Sequence, residues 1–192
     1  MTGPAIRGRR VTLRPLSSGD GPALDRILKD RSATRYLPPR VQRESGPRFV
    51  SRVLREARHG HSVSFAIFIP ETTEAIGQVR LIDWSRLEQR AEVGIWLSRS
   101  YWGRGFGTEA VDLVCRFGFR SLRLHRISAS VVVGNDSSER MLQKVGFRRE
   151  GRLREAARVG RAWADVTVYG ITLVDLSASR KSKRGRAGIR TR

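Results

Sequence analysis

Trp102-Gly103-Arg104-Gly105-Phe106-Gly107-Thr108-Glu109-Ala110 decides how this chain is read. The run follows an apolar, strand-like segment, Val93-Gly94-Ile95-Trp96-Leu97, and opens onto a helix-like one, Thr108 to Phe119. Glycines at every second position let the backbone approach a ligand closely, because no Cβ stands in the way. The helix start beyond them presents unpaired N–H groups and the positive end of a dipole, which suits a phosphate or pyrophosphate. A tight strand-to-helix turn would use the same glycines, so the run needs company before it carries a function.

Downstream, Arg126-Ile127-Ser128-Ala129-Ser130-Val131-Val132-Val133 is the clearest strand, rich in β-branched residues. Asn135-Asp136-Ser137-Ser138 caps a helix carried by Met141, Leu142 and Val145, which stops at Gly146. Phe147 to Leu153 and Trp163 to Leu173 read as a closing antiparallel pair. Upstream, Val11 to Leu16 alternates and ends at proline, as a first strand. Ser18-Gly19-Asp20-Gly21 with Pro22 opens a short amphipathic helix. Phe49, Val50, Val53 and Leu54 mark a second helix, ending near Gly60. Ser62 to Ile69, Ala75 to Trp84 and Arg90 to Leu97 are three further strands, the first two joined as a hairpin. The order β-α-α-β-β-β-α-β-α-β-β gives a mixed α/β sheet domain rather than the strict alternation of a doubly wound fold.

At 192 residues, 39% hydrophobic and 29% charged, the chain has the composition of one globular domain. No stretch approaches the roughly 18 apolar residues of a membrane helix, and Met1 to Arg7 holds no apolar run of a secretory signal. No membrane role is expected, and the cytoplasm is the expected location. Cys115, the single cysteine, excludes an internal disulfide and a thiolate-rich metal site. It lies in an apolar stretch and reads as a buried, inert thiol. His59, His61 and His125 lack metal-ligand spacing, so no metal is expected. The net charge of +20 includes a basic tail with no acid after Asp175. The expected division is a domain over residues 1–176 and a disordered basic tail over 177–192. A surface this basic attracts RNA or acidic partners.

These residues together resemble the GNAT superfamily of acyl-CoA-dependent N-acyltransferases, and within it the RimJ/RimL group. The resemblance spans Arg9 to Asp175. It rests on Tyr101 to Ala110, on Asn135 with Ser138, Arg140 and Leu142, and on Lys144-Val145-Gly146-Phe147. It implies a central, mostly antiparallel mixed sheet flanked by helices and splayed at the acyl-CoA site. It also implies acetyl-CoA as cosubstrate, with the backbone from Gly103 through Arg104, Gly105, Phe106 and Gly107 to Thr108 around the pyrophosphate. The resemblance places the pantetheine arm against Ile95, Trp96 and Leu97, and Asn135 near the cofactor's amides or simply as a helix cap. Trp102 stands where the wider superfamily often has Gln or Arg, as is common in the RimJ/RimL group.

By the same resemblance, Glu92 is the leading candidate for general base or for orienting the acceptor, with Asp83 and Glu88 as weaker alternatives. Ser138 is the candidate donor to the departing thiolate, or a local cap contact. The implied chemistry is direct attack by a neutral amine, without a covalent enzyme intermediate. The expected acceptor is a protein N-terminal α-amine of the ribosomal type. The alternatives are a small amine (aminoglycoside, polyamine or amino acid) and a catalytically silent CoA- or RNA-binding protein. Ribosome or RNA association through the basic surface and tail, and a monomer or homodimer, are the expected partner states. Trp84, Trp96 and Trp163 read as sheet packing, and Asp165 and Tyr169 as residues near the acceptor pocket.

Overall fold

The computed structural model describes residues 4–178. Its strands are β1 (Ile6–Arg7), β2 (Thr12–Pro15), β3 (Val63–Phe68), β4 (Gly77–Ser85), β5 (Arg90–Leu97), β6 (Arg126–Val132), β7 (Arg148–Val159) and β8 (Ala162–Thr172). Its helices are α1 (Gly21–Leu28), α2 (Arg31–Thr34), α3 (Pro39–Gln42), α4 (Gly46–Arg58), α5 (Phe106–Ser121) and α6 (Asp136–Val145). The strands form one sheet in the order β1-β2-β3-β4-β5-β6-β8-β7. Every neighbouring pair is antiparallel except β5 and β6. That parallel step needs a crossover, and α5 supplies it.

The strand period of two sorts side chains onto two faces. On one face, Phe65, Ile67, Val79, Leu81, Val93, Ile127 and Ala129 pack with Val111, Val114 and Phe117 of α5. Phe65 and Phe117 meet edge to face at 5.4 Å, and each such fully buried ring contributes about 1.5–3 kcal/mol. On the other face Trp96 and Ala66 pack with Leu24, Ile27, Phe49, Val50 and Val53 of α1 and α4. Phe49 meets Trp96 edge to face at 5.5 Å. Even-numbered residues of β5 therefore look towards α1 and α4, and odd-numbered ones towards α5.

The expected order of elements stands, with β1, α2 and α3 as short additions. Gly146 takes the left-handed C-cap at φ 119°. The closing hairpin departs from expectation: β7 runs to Val159, six residues past Leu153. Nearly all of β7 is exposed on both faces, so burial imposed no apolar alternation for a sequence reading to find. Trp163, expected as sheet packing, is 59% exposed for the same reason. Trp84 and Trp96 are buried. Of the tail expected to be disordered over 177–192, residues 177 and 178 instead end a helical segment over 173–178, where the Ser177 hydroxyl donates to Leu173 C=O, and residues 179–192 lie outside the described residues.

Candidate active site

Strands β5 and β6 are paired only at Arg90–Arg126, Ala91–Ile127 and Glu92–Ser128. Beyond Glu92 they diverge: Gly94 to Leu97 stay with β4, while Ala129 to Val132 stay with β8. A wedge-shaped gap results, with Glu92 and Ser128 at its apex. The ladder phase says which backbone groups face it. Arg126 N–H donates to Gln89 C=O, so odd-numbered residues of β5 turn their backbone towards β6. Ser98 N–H donates to Ile76 C=O on the other side, consistent with even-numbered residues turning towards β4. Val93 N–H closes the last rung at Ser128, so Val93 C=O and the N–H and C=O groups of Ile95 and Leu97 face the gap, and Trp96 directs its own towards β4. Leu97 C=O accepts from the Trp102 indole N–H at 3.0 Å, which ties the glycine loop to the strand end.

The loop then leaves a run of backbone N–H groups open at the start of α5. Gly103 and Gly105 have φ 71° and 83°, in the left-handed region that favours glycine. Gly105 is the N-cap of α5 and provides no side-chain cap. None of the described residues accepts a hydrogen bond from the N–H groups of residues 103–108. Gly107 allows the close approach: a Cβ there would lie 3.1 Å from Met141 Sδ and 3.3 Å from Leu97 Cδ1. The Phe106 ring is buried and carries two guanidiniums, Arg10 at 4.5 Å and Arg104 at 5.1 Å from its centre. Among the described residues neither guanidinium has a carboxylate partner. Glu109, in the first turn of α5, accepts from the N–H groups of Arg9 and Arg10 and so fixes Arg10 beside the loop. Sequence reading missed Arg10, because in a chain with 38 basic residues one more arginine carries no contrast.

Across the gap α6 begins with Asn135, whose Oδ1 accepts from Ser138 N–H at 3.4 Å and from the Ser137 hydroxyl at 3.0 Å. Ser138 is half-buried in the first turn, its own hydroxyl taking no part in that cap. Tyr36, just after α2, donates its hydroxyl to Gly134 C=O at 2.9 Å. That bond ties the α2 segment to the β6–α6 turn. Nothing in the sequence around Tyr36 marks this role, since its partner lies 98 residues away.

Glu92 points to the α1 and α4 face and is half-buried. Burial pushes its carboxyl above the ordinary glutamate range; the Ser130 hydroxyl and N–H pull it down, and the Asp83 charge adds to the rise. Arg80, on the neighbouring strand, is turned away to Glu56 at 2.8 Å, within a chain Glu44–Arg52–Glu56–Arg80. Glu92 therefore keeps a carboxyl uncommitted to a cation. Asp83 is exposed at the β4 irregularity with φ 50°, and Glu88 is paired with Arg90 in the turn. Tyr169 is fully buried on the α5 and α6 face. Asp165 staples the β7 bulge, accepting from Arg152 Nε at 2.7 Å and Glu155 N–H at 2.9 Å. Cys115 is buried in α5, and burial holds its thiol far above the ordinary range.

The arrangement offers N–H groups and guanidiniums for a pyrophosphate, an opened strand edge for an amide-bearing arm, and a carboxyl at the apex. Among the described residues no group of three or more His, Cys, Asp or Glu could hold a metal, and no helix is long and apolar enough to cross a membrane. Residues 10–148 match the acetyltransferase (GNAT) domain family. The N-acetyltransferase p20 of Bacillus licheniformis, itself uncharacterized, is 30% identical over 164 residues, covering 84% of this chain and 92% of that protein. The spermidine N(1)-acetyltransferase of Escherichia coli strain K12 is 31% identical over 144 residues, covering 74% and 75%. The solved structure of Mycobacterium smegmatis RimJ in complex with CoA-disulfide has a TM-score of 0.82 and 30% identity, covering 96% of this chain and 94% of that one.

Proposed function

We propose that this chain, which belongs to the GNAT acetyltransferase family and is an acyl-CoA-dependent N-acetyltransferase using acetyl-CoA, acts on a protein N-terminal α-amine. The observation that carries the acceptor is the half-buried Glu92 carboxyl, uncommitted to a cation, at the apex of the gap. An α-amine, with a pKa near ~7.7–8.0, is already partly neutral and needs only one acceptor for its proton. A polyamine needs several free carboxylates for its separated cations. On the α4 side Glu44 and Glu56 are bound by Arg52 and Arg80, and Asp83 lies exposed at the β4 irregularity. The RimJ/RimL resemblance of Tyr101 to Ala110 and of Asn135 with Ser138 implies the same acceptor class.

In this reading acetyl-CoA lays its pyrophosphate on the N–H groups of residues 103–108 and its arm along Ile95 and Leu97. A backbone N–H on β5 polarises the thioester carbonyl, where one preorganised donor is worth about 3 kcal/mol. The neutral amine attacks that carbonyl and the C–S bond breaks. Glu92 takes the amine proton, and Ser138 stabilises the thiolate that leaves. Asn135 caps α6 beside the arm.

A polyamine is the second reading, favoured by the spermidine acetyltransferase relative and by a cavity of about 520 Å³ whose lining includes Glu71, although there Glu74 is paired with Arg26 and Asp30 caps α2. Thiol release from acetyl-CoA, measured across peptides with free and blocked N-termini, spermidine and aminoglycosides, separates the two. Turnover confined to free N-termini is the expected result, and turnover confined to spermidine overturns the acceptor. On the preferred acceptor, Glu92→Gln lowers kcat about 100-fold or more and leaves the affinity for acetyl-CoA unchanged. The base must be ionised, so turnover falls as pH drops through its pKa. Turnover already falls below about pH 8 as the amine protonates; the further loss at lower pH belongs to Glu92, lies above the ordinary 4.5 because burial raises its pKa, and disappears in Glu92→Gln.

A further inference from the structure

The β7–β8 hairpin projects a surface that the acetyl-transfer site does not use. β7 is the edge strand of the sheet and is exposed on both faces along most of its length. Residues 148–163 carry six arginines against two glutamates. Register places Arg149 opposite Tyr169, Arg152 opposite Thr167 and Arg158 opposite Trp163. Trp163, Thr167 and Tyr169 share one face of β8, since side chains alternate. Arg149, Arg152, Arg158 and Trp163 therefore form one stripe, roughly 20 Å long at about 3.3 Å per residue. The Arg158 guanidinium lies 4.9 Å over the Trp163 ring, which is 59% exposed. Glu150 is taken by Arg126, and Asp165 by Arg152 and the Glu155 N–H, so neither acid neutralises Arg149 or Arg158.

We propose that this stripe binds single-stranded RNA, with Arg149 and Arg158 on phosphates and Trp163 stacking on a base. A second copy of the chain fits poorly. Pairing two β7 edges would set arginine against arginine, and the two register breaks in β7 interrupt any added ladder. An acidic polypeptide would satisfy the arginines but has no use for an exposed indole beneath a guanidinium. A nucleic acid uses both, because phosphates take the charge and a base takes the ring. This proposal does not depend on which amine the active site acetylates.

The test is anisotropy of a fluorescein-labelled oligouridylate with the full chain across a potassium chloride series. Thiol release on the preferred acceptor serves as the control for folding. Trp163→Ala should weaken binding about tenfold with the salt slope unchanged, and Trp163→Phe should restore most of it. Arg149→Ser with Arg158→Ser should lower the slope of log affinity against log salt by about 0.7 for each phosphate no longer neutralised. All three variants should keep full turnover. Unchanged RNA affinity in both Trp163→Ala and the arginine pair would place binding elsewhere on this basic chain and overturn the proposal. Equal sensitivity of polyglutamate binding to Trp163→Ala would assign the face to an acidic protein and overturn it equally.

Discussion

Helices α5 and α6 each begin where the preceding strand leaves the sheet, on opposite sides of the same gap, yet their first turns are built differently. At α6, Asn135 closes the turn with its own side chain. At α5, Gly105 offers no side chain, and the N–H groups of residues 103–108 find no acceptor among the described residues. Uncapped N–H groups cost stability unless something else meets them. Arg10 and Arg104 both lie over the Phe106 ring beside the open turn, adding positive charge where the helix dipole is already positive. One N-terminus is closed by its own side chain; the other is left open, as the proposed pyrophosphate site requires.

That contrast can be broken most severely at Gly107. Gly107→Val forces a branched side chain against Met141 and Leu97, and overpacking of about 1–3 kcal/mol should weaken acetyl-CoA binding about ten- to 100-fold by calorimetry. Next comes Arg10→Gln. It leaves the fold's ion pairs intact and removes one free cation, so acetyl-CoA affinity should fall about three- to tenfold, with the loss shrinking at high salt. The smallest effect belongs to the capped end. Asn135→Ala should cost about 1 kcal/mol in urea unfolding, and Asn135→Asp, which keeps the acceptor oxygen, should restore it. If Asn135→Asp also weakens acetyl-CoA binding, the amide donor serves the cosubstrate as well as the cap.

The two ends were not equally legible. Asn135 and the alternate glycines announce themselves because caps and left-handed turns demand particular residue types. The strands on both sides of α5 were legible too, since burial enforces alternation in Arg90 to Leu97 and Arg126 to Val132. Glu92 could be named only through the family resemblance; its place at the apex depends on where β5 and β6 stop pairing. Arg10 and Tyr36 were invisible, because each acts on a segment about a hundred residues away. The long hairpin was truncated in the sequence reading because exposed backbone leaves no hydrophobic period.

Among the described residues, the strand pairing that joins β1–β5 to β6–β8 is confined to residues 90–92 and 126–128. The two half-sheets are therefore held at their angle by α5, which packs on β2, β4 and β5 on one side of the seam and on β6 on the other, with Val111, Val114 and Phe117 in the shared core. In the proposed placement of acetyl-CoA, the width open to its acyl group is thus governed by a helix core behind the sheet. Enlarging or trimming those side chains would turn the halves about the short seam like a door on its hinge, retuning acyl-chain length from behind the sheet.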